Sequence, residues 1–408
     1  MPYLVRNNFK KMVPELRQAF NQNFTQEKFD AFLNEIHSIH GEIEFRMAET
    51  PVFVPKNFLK QMLDACESII DVIISPGFKN LTDNAIPQNL SVPGENNFPH
   101  CIAFDFGVCK NEKGDLEPQL IEMQGFPSLF AYQVLLEDVF NNHFVVPENY
   151  ITFLGGHNKA SYLHLLRELL VGKHDRENVI LRKLFPEKQK TKSDFYCTED
   201  YTGIKTVCIT KIIKKDRKLY YNNNGIETRI DRIYNRLIFD ELLQQEQWVQ
   251  DKAKILFEDI DVEWVPHPNW FYRVSKYTLP LIQHPNIPRT EFLNKIKQLP
   301  ADLENYVLKP LFSFAGQGVV IDVTEDDIKN VKDPENWILQ RKVNYAPVIE
   351  TPDEPAKAEI RIFYFWKDGK PRPEPTNSLA RLSKGKMIGV RYNKDKPWTG
   401  GSFCLFEQ

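Results

Sequence analysis

His100-Cys101-Ile102-Ala103-Phe104-Asp105-Phe106-Gly107, a polar turn Asn111-Glu112-Lys113-Gly114-Asp115, then Gln119-Leu120-Ile121-Glu122-Met123-Gln124-Gly125: the reading of this stretch decides the fold. Two short apolar runs around a glycine-containing turn predict a β-hairpin. Strand side chains alternate with period two, so Asp105, Glu122 and Gln124 can share one face. Glu122 and Gln124 stand in an otherwise apolar run, IEMQGFPSLF, where bare burial is costly. Carboxylates and an amide oxygen are the donors a hard divalent cation takes, and magnesium often needs only a few from the protein beside nucleotide phosphates. The plainer reading is a solvated hairpin face.

Upstream, residues 1–90 read as helices. Phe9, Met12, Val13, Leu16 and Phe20 recur at helical spacing, as do Phe29, Phe32, Leu33 and Ile36, and then Phe58, Met62, Leu63, Cys66, Ile69 and Ile70. These stripes are core faces and carry no chemistry. Downstream, YITFLGG followed by ASYLHLLRELL predicts strand, Gly155-Gly156 turn and helix, without the GxGxxG spacing of a dinucleotide site. Strands around 179–181 and 207–213 predict an α/β layer, and the polar segment between about 183 and 206 reads as a loop or mobile flap. Arg229, Arg232 and Arg236 crowd TRIDRIYNRLIFDEL. They suit bidentate recognition of a substrate carboxylate, Arg236 above all, or equally a surface helix laced with Asp231 and Asp240 pairs.

The last 150 or so residues are β-rich and hold the densest chemistry. Val307-Leu308-Lys309-Pro310 is a strand delivering one lysine into Leu311-Phe312-Ser313-Phe314-Ala315-Gly316-Gln317-Gly318, with a second strand behind it. Small residues let backbone N–H groups approach phosphate oxygens, and a lysine supplies the counter-charge. An ordinary hairpin is the alternative, and GxxxxGK[ST] is absent. Further strands are predicted over 337–343, 359–365 and 378–382. Arg361 and Arg381 lie inside apolar strands, where a charge needs a partner; Lys276 and Arg391 complete a cationic set. The histidines have no zinc-like spacing, and no Ser or Cys stands in a nucleophile motif.

The chain has 408 residues, a formal net charge of −3 and 42% hydrophobic residues, which predicts two or three domains and argues against a main role in gripping nucleic acid or membrane. No stretch approaches the roughly 18 apolar residues of a membrane span. Its start, MPYLVRNNFKK, is not a signal peptide by pattern. The six cysteines are scattered, which predicts reduced, buried thiols and a cytoplasmic protein.

Taken in order, these pieces resemble the ATP-grasp enzymes, and more narrowly the synthetase domain of glutathionylspermidine synthases and eukaryotic-type glutathione synthetases. Phe104-Asp105-Phe106 with Leu120-Ile121-Glu122-Met123-Gln124 is similar to RFDF…LLEFN, Ser275-Lys276-Tyr277-Thr278-Leu279-Pro280 to NKaiLP, and Lys309-Pro310-Leu311 through Gly318 to KPLxGREG. Ile338-Leu339-Gln340 resembles the strand that reaches the adenine hinge. The resemblance covers 95–130 and 265–408, and the middle loosely.

It implies an α+β or α/β chain with a circularly permuted ATP-grasp fold. A helical region (1–90) would be followed by a metal-ligand hairpin of the ATP-grasp core (91–150), a Rossmann-like α/β substrate-side domain (151–262) and a nucleotide-binding region (263–408). It further implies an ATP- and Mg2+-dependent carboxylate–amine ligase acting through an acyl phosphate. ATP would be held by Lys276, Lys309, Ser313, Ala315, Gly316, Gln317, Gly318 and Gln340, and magnesium by Asp105, Glu122 and Gln124. Arg381 and Arg361 would be catalytic, and Arg236 would meet a small-molecule or peptide carboxylate. The departures are Ala103 in the place of an arginine, Gln124 for Asn, and Phe314-Ala315 for Arg-Glu. They keep two other readings open, a nucleotide-binding scaffold without ligase turnover and a phosphotransferase using the same site. The cysteine amidase domain of bifunctional members is missing, so hydrolysis of the product is not expected.

Overall fold

A computed structural model describes residues 12–312, 318–385, 388, 393 and 395–408. The hairpin forms as the alternation requires, from strands Cys101–Lys110 and Leu116–Gln124, and it does not stand alone. Of two long strands from the C-terminal third, Lys357–Phe365 pairs antiparallel with the hairpin and Glu374–Ser383 with Lys357–Phe365, and Gly400–Ser402 closes an antiparallel sheet of five. Its strand order runs Gly400–Ser402, Glu374–Ser383, Lys357–Phe365, Cys101–Lys110, Leu116–Gln124.

One face of this sheet is apolar throughout: Ile102, Phe104, Phe106, Ile360, Ile362, Tyr364, Ala380 and Leu382 are all buried. Against it packs the helix Lys56–Ile73, whose Phe58, Met62, Cys66, Ile69 and Ile70 form a stripe at helical spacing. The opposite face is divided. Cys101, Ala103, Phe363, Phe365 and Leu379 join a second core with the helix Tyr132–His143. Further along the same strands that face turns polar, with Asp105, Glu359, Arg361 and Arg381. The change of character within single strands marks where a site begins.

A parallel sheet, ordered Glu263–Val265, Arg232–Asn235, Val179–Lys183, Lys205–Cys208, carries the α/β layer expected in the middle of the chain. Its helix Lys159–Val171 starts with an Asn158–Ser161 capping box and ends at Gly172, at φ +63°. A third sheet, ordered Thr290–Phe292, Trp337–Arg341, Tyr306–Pro310, Val320–Ile321, is antiparallel and holds Lys309. The predicted helices appear at Pro14–Asn23, Gln26–His40 and Lys56–Ile73; Phe9 lies outside the described residues.

Three findings depart from the sequence reading. The segment read as a loop or flap contains the helix Lys192–Thr202, with Ser193, Asp194, Thr198 and Thr202 buried. Its threonines bond back to the helix's own carbonyls, Thr198 Oγ1 donating to Asp194 O (2.7 Å) and Thr202 Oγ1 to Thr198 O (2.6 Å), so polarity there does not mean exposure. The arginine-rich segment is not a surface helix: Ile226–Ile230 and Arg232–Asn235 are strands. Finally, Val52–Val54 pairs in parallel with Cys404–Glu407, a contact between distant parts of the chain that no local pattern announces. All six cysteines are free and buried, and among the described residues no helix is long and apolar enough to cross a membrane.

Candidate functional site

Register places the hairpin's polar residues together. Asp105 lies opposite Glu122, and Ala103 opposite Gln124. The register then shifts, with Phe106 opposite Leu120, so Ile121 is an extra residue in its strand. This bulge keeps Glu122 and Gln124 on the polar face while Leu120 stays in the core. Gln124 Nε2 donates to Glu122 Oε1. On the neighbouring strand Arg361 sits directly opposite Asp105, and one strand further Arg381 sits opposite Glu359.

These groups form a buried ionic cluster. Arg361 grips Asp105 in a fork, Nε to Oδ1 and NH2 to Oδ2, both at 2.6 Å. Arg381 NH2 reaches Asp105 Oδ2 at 2.7 Å and also bonds Glu359 Oε1. Tyr345 donates its hydroxyl to Glu359 Oε2 at 2.9 Å. Burial would raise the Asp105 pKa, but Arg361 and Arg381 outweigh it and hold the carboxyl below its ordinary range. Glu359 goes the other way: burial raises it, Asp105 and Glu122 add to that, and Arg381 opposes. A glycine is required beside it. A Cβ at Gly107 would lie 2.7 Å from Tyr345 Cε1, so the tyrosine ring packs where only glycine leaves room.

Two lysines arrive from separate elements. Lys309, on Tyr306–Pro310, donates to Gln340 Oε1 at 2.6 Å and to Ile121 O at 3.4 Å. Gln340 is buried, and its Nε2 donates to Thr290 Oγ1 at 3.0 Å, which fixes the amide so that its oxygen faces the lysine. Lys276 opens the short 3-10 helix Lys276–Leu281, capped by Ser275 Oγ accepting from Tyr277 N. Burial pulls Lys309 down to about 8; Glu122 opposes this, and the charge on Lys276 adds to it. Lys276 is lowered for the same first reason, again with Glu122 opposing. Two desolvated ammonium groups that feel each other and one carboxylate make a place that favours an added polyanion.

The structure brings Asp105, Glu122, Gln124, Arg361 and Arg381 onto one face, and it couples Lys276 and Lys309 to Glu122. Gly318 stands at φ +72° behind Lys309's strand; Ser313, Ala315, Gly316 and Gln317, like Arg391, lie outside the described residues. Asp105 is placed otherwise than a freely available metal ligand. Both its oxygens are engaged by guanidinium groups, whose charges also oppose a cation. Among the described residues no group of three His, Cys, Asp or Glu side chains is placed to hold a metal ion. Glu122 and Gln124 remain a partial oxygen set of the kind magnesium completes with phosphates and water. Arg236 is also placed otherwise than expected: it is buried, stacks on Phe126 (4.8 Å) and donates to Phe126 O (3.2 Å) and Pro127 O.

Glu359, Tyr345 and Thr290 are the site residues that sequence reading missed. Glu359 had a signal, since it shares period and face with Arg361 in AEIRIF. Tyr345 and Thr290 had none, because only tertiary packing brings them in.

This arrangement of sheets has a known counterpart. No family model matches the chain, and no curated protein matches it. Among solved structures it is similar to a glutathione synthetase-like effector from Globodera pallida, determined in its apo form. The TM-score is 0.58 at 9% sequence identity, over 95% of this chain and 97% of that one. At that identity the likeness is one of fold, shared over nearly the whole of both chains.

Proposed function

We propose that the protein is an ATP- and Mg2+-dependent ligase joining a carboxylate to an amine. The observation that carries this reading is the convergence of Lys276 and Lys309, both desolvated, on Glu122 at the edge of a buried Asp105–Arg361–Arg381–Glu359 cluster. The fold shared with a glutathione synthetase-like protein supports it.

In this reading Lys276 and Lys309 neutralise the polyphosphate, and the small residues among 313–318 would offer backbone N–H groups to its β- and γ-phosphates. Gln340 holds Lys309 in place. Glu122 and Gln124 would hold magnesium, which when bound would supply positive charge against the phosphates. A carboxylate oxygen of the acid attacks the γ-phosphorus, the bond to ADP breaks, and an acyl phosphate results. The amine then attacks the acyl carbon, inorganic phosphate leaves and the amine gives up a proton. Arg381, partly exposed, faces the transferring phosphoryl group, while Asp105 orients Arg361 and Arg381. The chemistry is positioning and electrostatics, consistent with the lack of a nucleophile motif.

A nucleotide-binding scaffold without turnover is the second reading. Ala103 favours it: fully buried opposite Gln124, it offers no cation where the resembled enzymes carry an arginine. The deciding experiment is ADP and phosphate release from Mg-ATP with amino acids, short peptides, glutathione and polyamines in pairs. Lys309→Ala and Glu122→Ala serve as blanks. Release requiring both an acid and an amine, and absent from the blanks, is the ligase result. Release with a hydroxyl acceptor alone points to phosphotransfer, and ATP binding without release to the scaffold.

A further inference from the structure

Between Gln124 and the helix Tyr132–His143 the chain crosses from the five-stranded sheet toward the parallel sheet without regular structure. Side chains and carbonyls of other segments take up its backbone groups. Gly125 N donates to Val274 O at 2.9 Å, two residues before Lys276. The Arg236 guanidinium, just past the end of the Arg232–Asn235 strand, takes the carbonyls of Phe126 and Pro127. The Asp194 carboxylate, on the helix Lys192–Thr202, takes the amides beyond them. Oδ2 accepts from Leu129 N (2.9 Å), and Oδ1 from Ala131 N (3.0 Å) and Tyr132 N (2.9 Å). Phe130 O receives Tyr162 OH at 2.9 Å and Asn377 Nδ2 at 3.1 Å.

Three features set this apart from ordinary loop anchoring. Asp194 is only 1% exposed, and three N–H groups meet its charge directly while the Arg236 guanidinium acts on it from further off. Charge of opposite sign is placed at the two ends of the segment, orienting carbonyls toward Arg236 and amides toward Asp194. Leu129 is held at φ +71°, a conformation leucine rarely adopts, which persists only where the surroundings impose it. A buried carboxylate and a buried guanidinium would both be replaceable by apolar packing if bulk stability were all they supplied. A network in which three N–H groups meet the carboxylate and one guanidinium nitrogen takes two carbonyls, with Arg236 Nε left without a hydrogen-bond partner among the described residues, instead specifies one geometry.

We propose that Asp194 and Arg236 are positioning residues for the site. From the parallel-sheet half of the molecule they fix the 125–132 segment, and through it the aim of Glu122 and Gln124 at the end of the hairpin. This rests on the ligase reading above for its catalytic consequence, while its consequence for metal-assisted nucleotide binding stands apart from turnover.

The test uses the full chain as wild type, Asp194→Asn and Arg236→Met. Asn leaves one oxygen and turns an N–H donor toward a donor; Met removes the cation while keeping apolar bulk. Calorimetry measures ATP affinity with and without Mg2+, hydrogen exchange follows the 125–132 segment, and ADP release gives kcat. The expected result is metal-free ATP affinity within about twofold of wild type, because the lysines are untouched. The gain in affinity on adding Mg2+ shrinks, exchange in 125–132 accelerates, and kcat falls about tenfold to a hundredfold, as small misplacements near reacting atoms do. If exchange accelerates but the Mg2+ gain and kcat both stay at wild-type values, the clamp is structural only and the proposal falls. Should Asp194→Asn fail to fold, Arg236→Met decides by the same readouts. If wild type shows no acid- and amine-dependent release, the ligase reading fails, and the Mg2+ gain still judges the clamp.

Discussion

A lysine with a pKa near 8 is a titration that function can read. Lys309 is desolvated, and it feels Lys276 as well as Glu122. Its folded value lies below that of an unfolded lysine, so the unfolded chain holds more protons between the two. Its contribution to stability is therefore unfavourable below about pH 8 and is relieved as pH rises from there toward the unfolded value, near 10.5. ATP binding moves the opposite way, because the charge that attracts phosphate is lost over the same interval. We expect the dissociation constant for Mg-ATP to rise above about pH 8 in wild type. Lys309→Met should bind at least about tenfold more weakly at pH 7, with the difference closing by about pH 10, as calorimetry at several pH values will show. Asp105 gives a second prediction at this scale. It is gripped by Arg361 and Arg381, so Asp105→Asn leaves Arg361 buried without its counter-charge. We expect a loss of about 3–5 kcal/mol in urea unfolding, the cost typical of breaking a buried pair. Were Asp105 an exposed hairpin residue, the change would cost less than about 1 kcal/mol.

At the scale of elements the bulge at Ile121 and the glycine at 107 do the positioning. Strand alternation alone places Asp105, Glu122 and Gln124 on one face, and that much is legible in the sequence. That Leu120 stays in the core while Glu122 faces the site depends on the extra residue, which no local pattern in QLIEMQG betrays. Gly107 leaves room for Tyr345, which reaches Glu359. Gly107→Ala should destabilise by about 1–3 kcal/mol through overpacking. Adding Tyr345→Ala should recover part of that loss in a double-mutant cycle, because the clash partner is gone. Strict additivity of the two changes would argue that the ring is not held against Gly107. The 192–202 helix shows the limit of composition: Asp194, Thr198 and Thr202 are buried and bonded to backbone groups, so a polar stretch read as a flap is part of the core.

For the molecule as a whole, the site exists because distant segments share sheets. The hairpin near residue 100 pairs with a strand near residue 360, and Val52–Val54 lies in parallel beside the closing strand Cys404–Glu407. Cys404, Leu405 and Phe406 are buried between Val52–Val54 and Tyr150–Ile151. Removing residues 403–408 takes out the middle strand of that sheet and leaves two apolar edges. We expect the truncated chain to lose its cooperative thermal transition and its near-ultraviolet dichroism, with ATP binding lost as well. A truncated chain that melts cooperatively and binds ATP normally would show that this sheet is dispensable.

By itself the sequence determined the local geometry and the chemistry on offer. Period two put carboxylates on one hairpin face, period 3.6 marked the N-terminal helices, and charges inside apolar strands at Arg361 and Arg381 announced that partners must exist. Tertiary structure alone decided who those partners are. Asp105 meets two arginines rather than open solvent, Gln340 orients Lys309, and Arg236 turns inward to carbonyls. The physical reason is that alternation and helical spacing are fixed by neighbours along the chain. The desolvation of a charge, and hence what must compensate it, is fixed by residues far away in sequence that only folding brings near.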